Sequence, residues 1–344
     1  MRIKTSIGLI LGVALLGVTT LGWAADFYKN KTIRYIVSSP PGGGYDLYSR
    51  LIARHLPKNI PGNPKIIVQN MPGGGHLIAT RYLYSAARKD GSVIGSISRS
   101  IPHVEMFMGS DEAKFKSTDF NWLGSVTDEV QICAVRGDLP IKNLKDMQQS
   151  KKPINLAGQA MGISPSDQAR LLREAFKANI NVVDGYSGTS KRRLALERGE
   201  TDGMCGWSWT SVKGTAQEWL DKGFLRPVIQ LGLKTHPELD KLGVPAIYPL
   251  APDKETKQVM ELLFTPMAMG RPVLTTPGVP KERVKLLRTA LEKTMKDPEF
   301  VKEAVALRLE VNPLGGEQVQ ELVANLFDFP PEVLERTKKI IYKK

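Results

Sequence analysis

The sequence predicts an α/β chain folded as two lobes joined by a hinge. A strand–helix rhythm runs from Thr32 to Ile97, restarts near Val126, and gives way to long amphipathic helices after Lys281. Strands alternating with helices imply βα units around open sheets. The 320 residues that follow residues 1–24 also exceed one ordinary domain. The expected division is residues 25–128 for a first lobe and 129–260 for a second. Residues 261–344 are expected to return to the first lobe, with the hinge near residues 127 and 262.

Thr32–Val37 reads as a β-branched strand, and the turn Pro40-Pro41-Gly42-Gly43-Gly44 follows it. Asp46 is placed to cap a helix carrying Leu47, Leu51, Ile52 and Leu56. A second strand, Lys65–Gln69, leads into Asn70-Met71-Pro72-Gly73-Gly74-Gly75 and a helix through Leu77, Ile78, Tyr82 and Leu83. Val93–Ile97 makes a third strand. Pro-Gly-Gly-Gly thus begins at Pro41 and again at Pro72, one βα unit apart, so a largely parallel sheet carries both turns at its carboxyl edge. In the second block, Ile132–Val135, Ile154–Ala157, Asn181–Val183 and Pro227–Leu231 read as strands. Helices are expected over Leu144–Gln149, after Pro165, and up to Gly199. Val284, Leu287, Ala290 and Leu291 give the helix after Lys281 one apolar face.

The N-terminus bears on compartment. Arg2 and Lys4 precede an apolar run from Ile7 to Leu21, and Gly22-Trp23-Ala24 offers small residues at −3 and −1 for cleavage before Ala25. That order is a secretory signal, removed from fold reasoning, and it places the mature chain in the periplasm. No later stretch approaches the roughly 20 apolar residues of a membrane span. The formal charge of +13 falls to +11 when Arg2 and Lys4 leave. A basic surface attracts anions, but the Lys and Arg residues are scattered, and export argues against nucleic acid as a partner.

The paired glycine turns are the sharpest chemical feature. A glycine-rich turn that opens a helix presents backbone N–H groups at the positive end of the helix dipole, a cradle for a carboxylate or a phosphate. A phosphate P-loop is excluded because Gly44 is followed by Tyr45-Asp46 rather than Lys-Ser/Thr, and three contiguous glycines do not make G-x-G-x-x-G. No G-x-S-x-G elbow, Cys–His arrangement or paired-carboxylate signal points to catalysis. His55, His76, His103 and His236 are dispersed, and Cys133 and Cys205 lack nearby histidines, so no metal site and no cofactor are expected. The two cysteines could pair after export; their separation is not readable from sequence.

Ser38–Asp46, Ile66–Gly75, Asp90-Gly91, Gly185-Tyr186-Ser187-Gly188, Gly199–Gly203 and Pro277–Pro280 together resemble the tripartite tricarboxylate transporter substrate-binding receptors, the Bug family. The resemblance spans nearly the whole mature chain. It implies a two-lobed periplasmic binding protein of the Venus flytrap type, with no catalysis and a ligand cleft between the lobes. It further implies a monomer that delivers a small carboxylate to membrane permease subunits. Carried over by position, Pro41, Gly42, Gly43, Gly44, Tyr45 and Asp46 would grip one carboxylate with Asn70, Pro72, Gly73, Gly74, Gly75 and His76. Gly158, Gly162 and Ser164, with Tyr186, Ser187, Gly188 and Thr189, would set specificity from the second lobe. Gly162-Ile163-Ser164-Pro165-Ser166-Asp167 departs from the family's usual Gly-Ser-x-x-His segment. Trp207 is a candidate cleft-wall aromatic, with core packing as the alternative for it and for Trp209.

Overall fold

The computed structural model describes residues 27–342; the export signal read at residues 1–24 lies outside them. Two sheets form two α/β lobes. The first has the order β11 (Leu314–Gly315), β4 (Asn121–Ser125), β10 (Pro272–Thr275), β3 (Val93–Ser96), β1 (Thr32–Val37), β2 (Lys65–Asn70). The second has the order β7 (Ile180–Val183), β6 (Ile154–Ala157), β8 (Gly203–Ser208), β5 (Gln131–Arg136), β9 (Leu225–Leu231).

Neither sheet is largely parallel. β1 is parallel to both β2 and β3, which puts the two glycine turns side by side at one sheet edge. β10 then enters antiparallel to β3 and β4, because the chain reaches it on its way back from the second lobe. In the second sheet β6 is parallel to β7 and β8, whereas β5 runs antiparallel to β8 and β9.

The helices that position the site are α1 (Gly44–His55), α2 (Leu77–Arg81), α3 (Ile101–Met108), α4 (Ser164–Glu174), α5 (Thr189–Glu197), α6 (Trp209–Asp221), α7 (Lys254–Phe264), α8 (Lys281–Lys296) and α9 (Pro331–Tyr342). α1 buries Tyr48, Leu51 and Ile52 at helical spacing against Ile33 and Tyr35 of β1. α8 adds Leu287 and Leu291 to the same core. The second core gathers Leu156, Leu172, Val228 and Phe264. The final helix α9 does not stay with the first sheet. It packs on α4 and α7, and Ile341 is buried in the second core. Among the described residues no helix is long and apolar enough to cross a membrane.

Two chain crossings lie side by side. The Val126 N–H donates to the Arg271 carbonyl at 3.3 Å, Gly270 N–H to Thr127 at 2.8 Å, and Glu129 N–H to Met267 at 3.0 Å. Cys133 of β5 and Cys205 of β8 are joined as a disulfide, both fully buried.

Candidate functional site

The first glycine turn of one lobe meets the Gly188–Thr189 turn of the other. A Cβ on Gly188 would stand 2.7 Å from the Pro40 ring, and one on Gly43 would reach 3.8 Å from Thr189. Beneath this contact lies a cavity of about 50 Å³ lined from both lobes. Four helices of eight or more residues begin at its wall: α1 after Gly43, α4 after Ile163, α5 after Gly188 and α6 after Ser208. No N-cap side chain bonds the first turn of any of the four, but Ser164 N–H of α4 donates to Ser100 Oγ at 3.3 Å and Trp209 N–H of α6 donates to the Val130 carbonyl at 3.0 Å. The first turns of α1 and α5 are left with uncapped N–H donors at the positive end of a helix dipole. Their approach from opposite lobes gives the cavity wall a positive potential.

Three arginines line the same cavity. Arg99, at the end of the β3–α3 connection, donates to Glu129 at 2.6 Å and to the Gly270 carbonyl at 3.2 Å. Arg271 reaches the other Glu129 oxygen at 2.6 Å and Ser211 Oγ at 2.8 Å, beneath the ring of Tyr45. Burial alone would discourage the Arg271 charge, but Glu129, Tyr45 and Tyr48 more than offset it. Arg192, on the buried face of α5, donates to the Cys205 carbonyl at 2.8 Å and weakly to Thr189 Oγ1 at 3.4 Å. Burial, then the Arg99 charge, lowers the Arg192 pKa to about 9. The Nε atoms of all three guanidinium groups are buried without a hydrogen-bond partner.

His76 ties the lobes together at the cavity wall. Its Nδ1–H donates to the Ser38 carbonyl at 2.9 Å, and Nε2 accepts from the Gln159 amide of the second lobe at 2.8 Å. Burial, with Arg99 and Arg192 nearby, holds its pKa down at about 4, so the ring is neutral. Ser100 and Ser164 join across the lobes at 2.7 Å.

Asp46 is not the N-cap of α1; Gly43 holds that position. Asp46 sits in the first turn and folds back to accept from Gly42 N–H at 3.0 Å, from Arg50 at 3.0 Å and from Asn70 at 2.9 Å. Burial would raise its pKa, yet these bonds hold it below the usual carboxylate range. Asn70 also donates to the Ser39 carbonyl, so it braces the first glycine turn from the second.

Of the residues singled out by sequence, Gly43, Gly44, Tyr45, His76, Ser164, Gly188 and Thr189 are brought to the cavity. Pro41, Gly42 and Pro72 are exposed, and Asp46 and Asn70 support the turns from behind. Gly73, Gly74, Gly75 and His76 all have positive φ, a run that only a glycine-rich segment adopts without strain. A Cβ on Gly75 would stand 3.0 Å from Ala160, so Gly75 packs on the second lobe, while Gly73 and Gly74 lie against Leu77 and Ile78 of their own segment. Gly158 and Gly162 are packed against Asp184 and Val104. Tyr186 and Ser187 do not line the cavity, and the Tyr186 hydroxyl points to Glu200. Trp207 lies in the second-lobe core, edge-on to Trp219. Trp209 donates to Glu238.

The arginines, Glu129, Gln159 and Ser211 were not picked out by sequence. Arg192 had a readable signal: it shares the 3–4-spaced face of α5 with buried Ala195 and Leu196.

Comparison with known proteins accords with this geometry. Residues 49–343 match the family described as tripartite tricarboxylate transporter family receptor. The chain is 26% identical over 345 residues to the UPF0065 protein in the tcbD–tcbE intergenic region of Pseudomonas sp. (strain P51), covering 96% of this chain and 92% of that one. It superposes on periplasmic binding protein BugD with a TM-score of 0.73 at 21% identity, covering 91% of this chain and 98% of that one. Against MatC from Rhodopseudomonas palustris with bound malate the TM-score is 0.68 at 20% identity, covering 90% and 99%.

Proposed function

We propose, because the chain belongs to the tripartite tricarboxylate transporter family receptors, that it captures a small organic carboxylate between its lobes in the periplasm and presents it to membrane permease subunits. Residues 1–24 direct export. Residues 25–128 and the chain from 261 form the first lobe, 129–260 the second, with α9 strapped across to the second. The single observation that carries this reading is the cavity wall, where the uncapped starts of α1 and α5 and buried guanidinium groups from both lobes converge. MatC, of similar fold, holds malate, which supports a carboxylate as the ligand class. Gly43, Gly44 and Tyr45 grip the ligand from the first lobe, and Ser164, Gly188 and Thr189 from the second. The remaining turn residues hold these in place.

No reaction is assigned to the site. His76, with Ser38 Oγ 2.8 Å from its Nδ1, has both ring nitrogens engaged and is neutral. Binding shifts an open–closed equilibrium about the paired crossings, which requires a ligand that prefers the closed state.

A thermal-shift screen against mono-, di- and aromatic carboxylates tests the reading, with phosphate and neutral solutes as controls. A carboxylate at about 100 times its Kd adds about 2.7 kcal/mol of stability. Stabilisation by phosphate or a neutral solute alone would remove carboxylate capture.

A further inference from the structure

The cavity carries more positive charge than its own carboxylate can match. Glu129 is shared between Arg99 and Arg271 at 2.6 Å each. Arg192 is 2% exposed, and among the described residues no carboxylate lies within ion-pair distance of it. The nearby acidic residues do not supply a counter-charge: Asp46 is engaged by Arg50 and Asp184 by Arg170, and Asp167 of α4 lies off the cavity wall, accepts from Gly162 N–H and is pushed by burial toward its uncharged form. His76 is neutral. The site therefore holds two net positive charges, one contributed by the first lobe with the crossings and one by α5 of the second. Burying a guanidinium group without a counter-charge is costly, and the cost persists unless a ligand supplies that charge.

We propose that Arg99 and Arg192, reaching the cavity from opposite lobes, form a guanidinium clamp that selects a compact ligand with two negative charges and no ammonium group. The inference rests on the carboxylate-receptor reading and adds the charge state of the ligand and the residue that enforces it. Without an anion, closing the lobes brings two like charges together. A dianion between them reverses the sign of that interaction, so closure is coupled to ligand charge. An ammonium group is disfavoured because the cavity offers it no free carboxylate. Guanidinium suits this role because its planar fork of donors matches a carboxylate edge, whereas a lysine supplies only a point charge.

The test uses titration calorimetry on the mature protein with succinate, glutarate and adipate, their monomethyl esters, and L-aspartate. Wild type is expected to bind one of the dicarboxylates at least 100-fold more tightly than its half-ester, and aspartate more weakly than succinate. Arg192→Gln is expected to lose about 100-fold in dicarboxylate affinity and to reduce the dianion preference to within a few-fold. Arg192→Lys should recover only part. Ligand-free Arg192→Gln should melt no lower than wild type, since it removes an uncompensated buried charge; a residue that merely held the fold would lower the melting temperature. Dicarboxylate affinity and dianion preference unchanged in Arg192→Gln would overturn the clamp while leaving the receptor reading standing. Should Arg192→Gln fail to fold, equal wild-type affinity for dicarboxylate and half-ester overturns the clamp by itself. A wild type that binds none of these carboxylates removes the receptor reading, and the clamp with it.

Discussion

Two histidines that are buried neutral should make this protein lose stability as pH falls toward 5. His76 and His103 are each held at a pKa of about 4, His76 by burial and two nearby arginines, His103 by burial alone. In the unfolded chain each returns to about 6.5. The unfolded state therefore takes up protons first, and stability that is whole above about pH 6.5 falls as pH drops toward 4. At pH 5 the unfolded form of each histidine is almost fully protonated and the folded form hardly at all. That difference costs about 2 kcal/mol per histidine, about 4 kcal/mol for the pair. Glu310 does not interfere. Burial would raise its pKa, but His236 and Lys213 bring it to about 2, so its contribution is lost only below about pH 4.5. Asp167 acts the other way: burial holds its carboxyl well above the usual carboxylate range, so the native state gains a proton as pH falls. Urea unfolding between pH 8 and 5 measures the effect in Asp167→Asn protein, which keeps an acceptor for Gly162 N–H and removes the opposing carboxyl, with His76→Asn and His103→Gln as further variants. Asn tolerates the positive φ of 74° at position 76, and Gln keeps a donor for the Leu262 carbonyl that His103 contacts at 2.9 Å. Each histidine variant is expected to lose about half the pH dependence, and the double variant most of it. In the Asp167→Asn background, a stability that stays level from pH 7 to 5, or a double histidine variant with the slope of that background, would refute the reasoning.

Other perturbations follow from the same geometry. A Cβ at Gly44 would stand 2.0 Å from Ser211 Oγ and 2.5 Å from an Arg271 amino nitrogen. Gly44→Ala should therefore push Arg271 off Ser211 and weaken carboxylate binding at least tenfold by calorimetry; undiminished affinity would show that Arg271 does not shape the site. Asp46→Ala removes acceptors for Gly42, Arg50 and Asn70, and chemical denaturation should show a loss of about 1–3 kcal/mol; a loss under 0.5 kcal/mol would mean the turn is held otherwise. Denatured, unreduced protein should give no free thiol, and Cys133→Ala with Cys205→Ala should cost about 2–5 kcal/mol. Two titratable thiols per chain would contradict the pairing.

The glycine turns were legible in sequence because their chemistry is local. Pro-Gly-Gly-Gly after a β-branched strand predicts a helix start at a sheet edge, and β1, β2, α1 and α2 follow that pattern. Asp46 was misread because a Ser/Asp/Asn ahead of an apolar run signals a cap, while here the backbone of Gly43 begins the helix and Asp46 bonds backward. β10 was not read because Pro272–Thr275 is short and pairs with strands distant in sequence. β8 was not read because Gly203 and Gly206 lower strand propensity; the first is required because a Cβ there would stand 2.4 Å from the Ala134 carbonyl. The arginine cluster was least legible. Arg99, Glu129, Arg192 and Arg271 come from four separate segments, and only the two paired crossings and the meeting of the lobes bring them together.

The most direct test of the central claim is a crystal structure of the mature protein grown with the carboxylate that stabilises it most. The account predicts carboxylate oxygens in the inter-lobe cavity, within hydrogen-bond reach of the first turns of α1 and α5. Ligand density on the outer surface, with the cavity holding only water at saturating carboxylate, would contradict it.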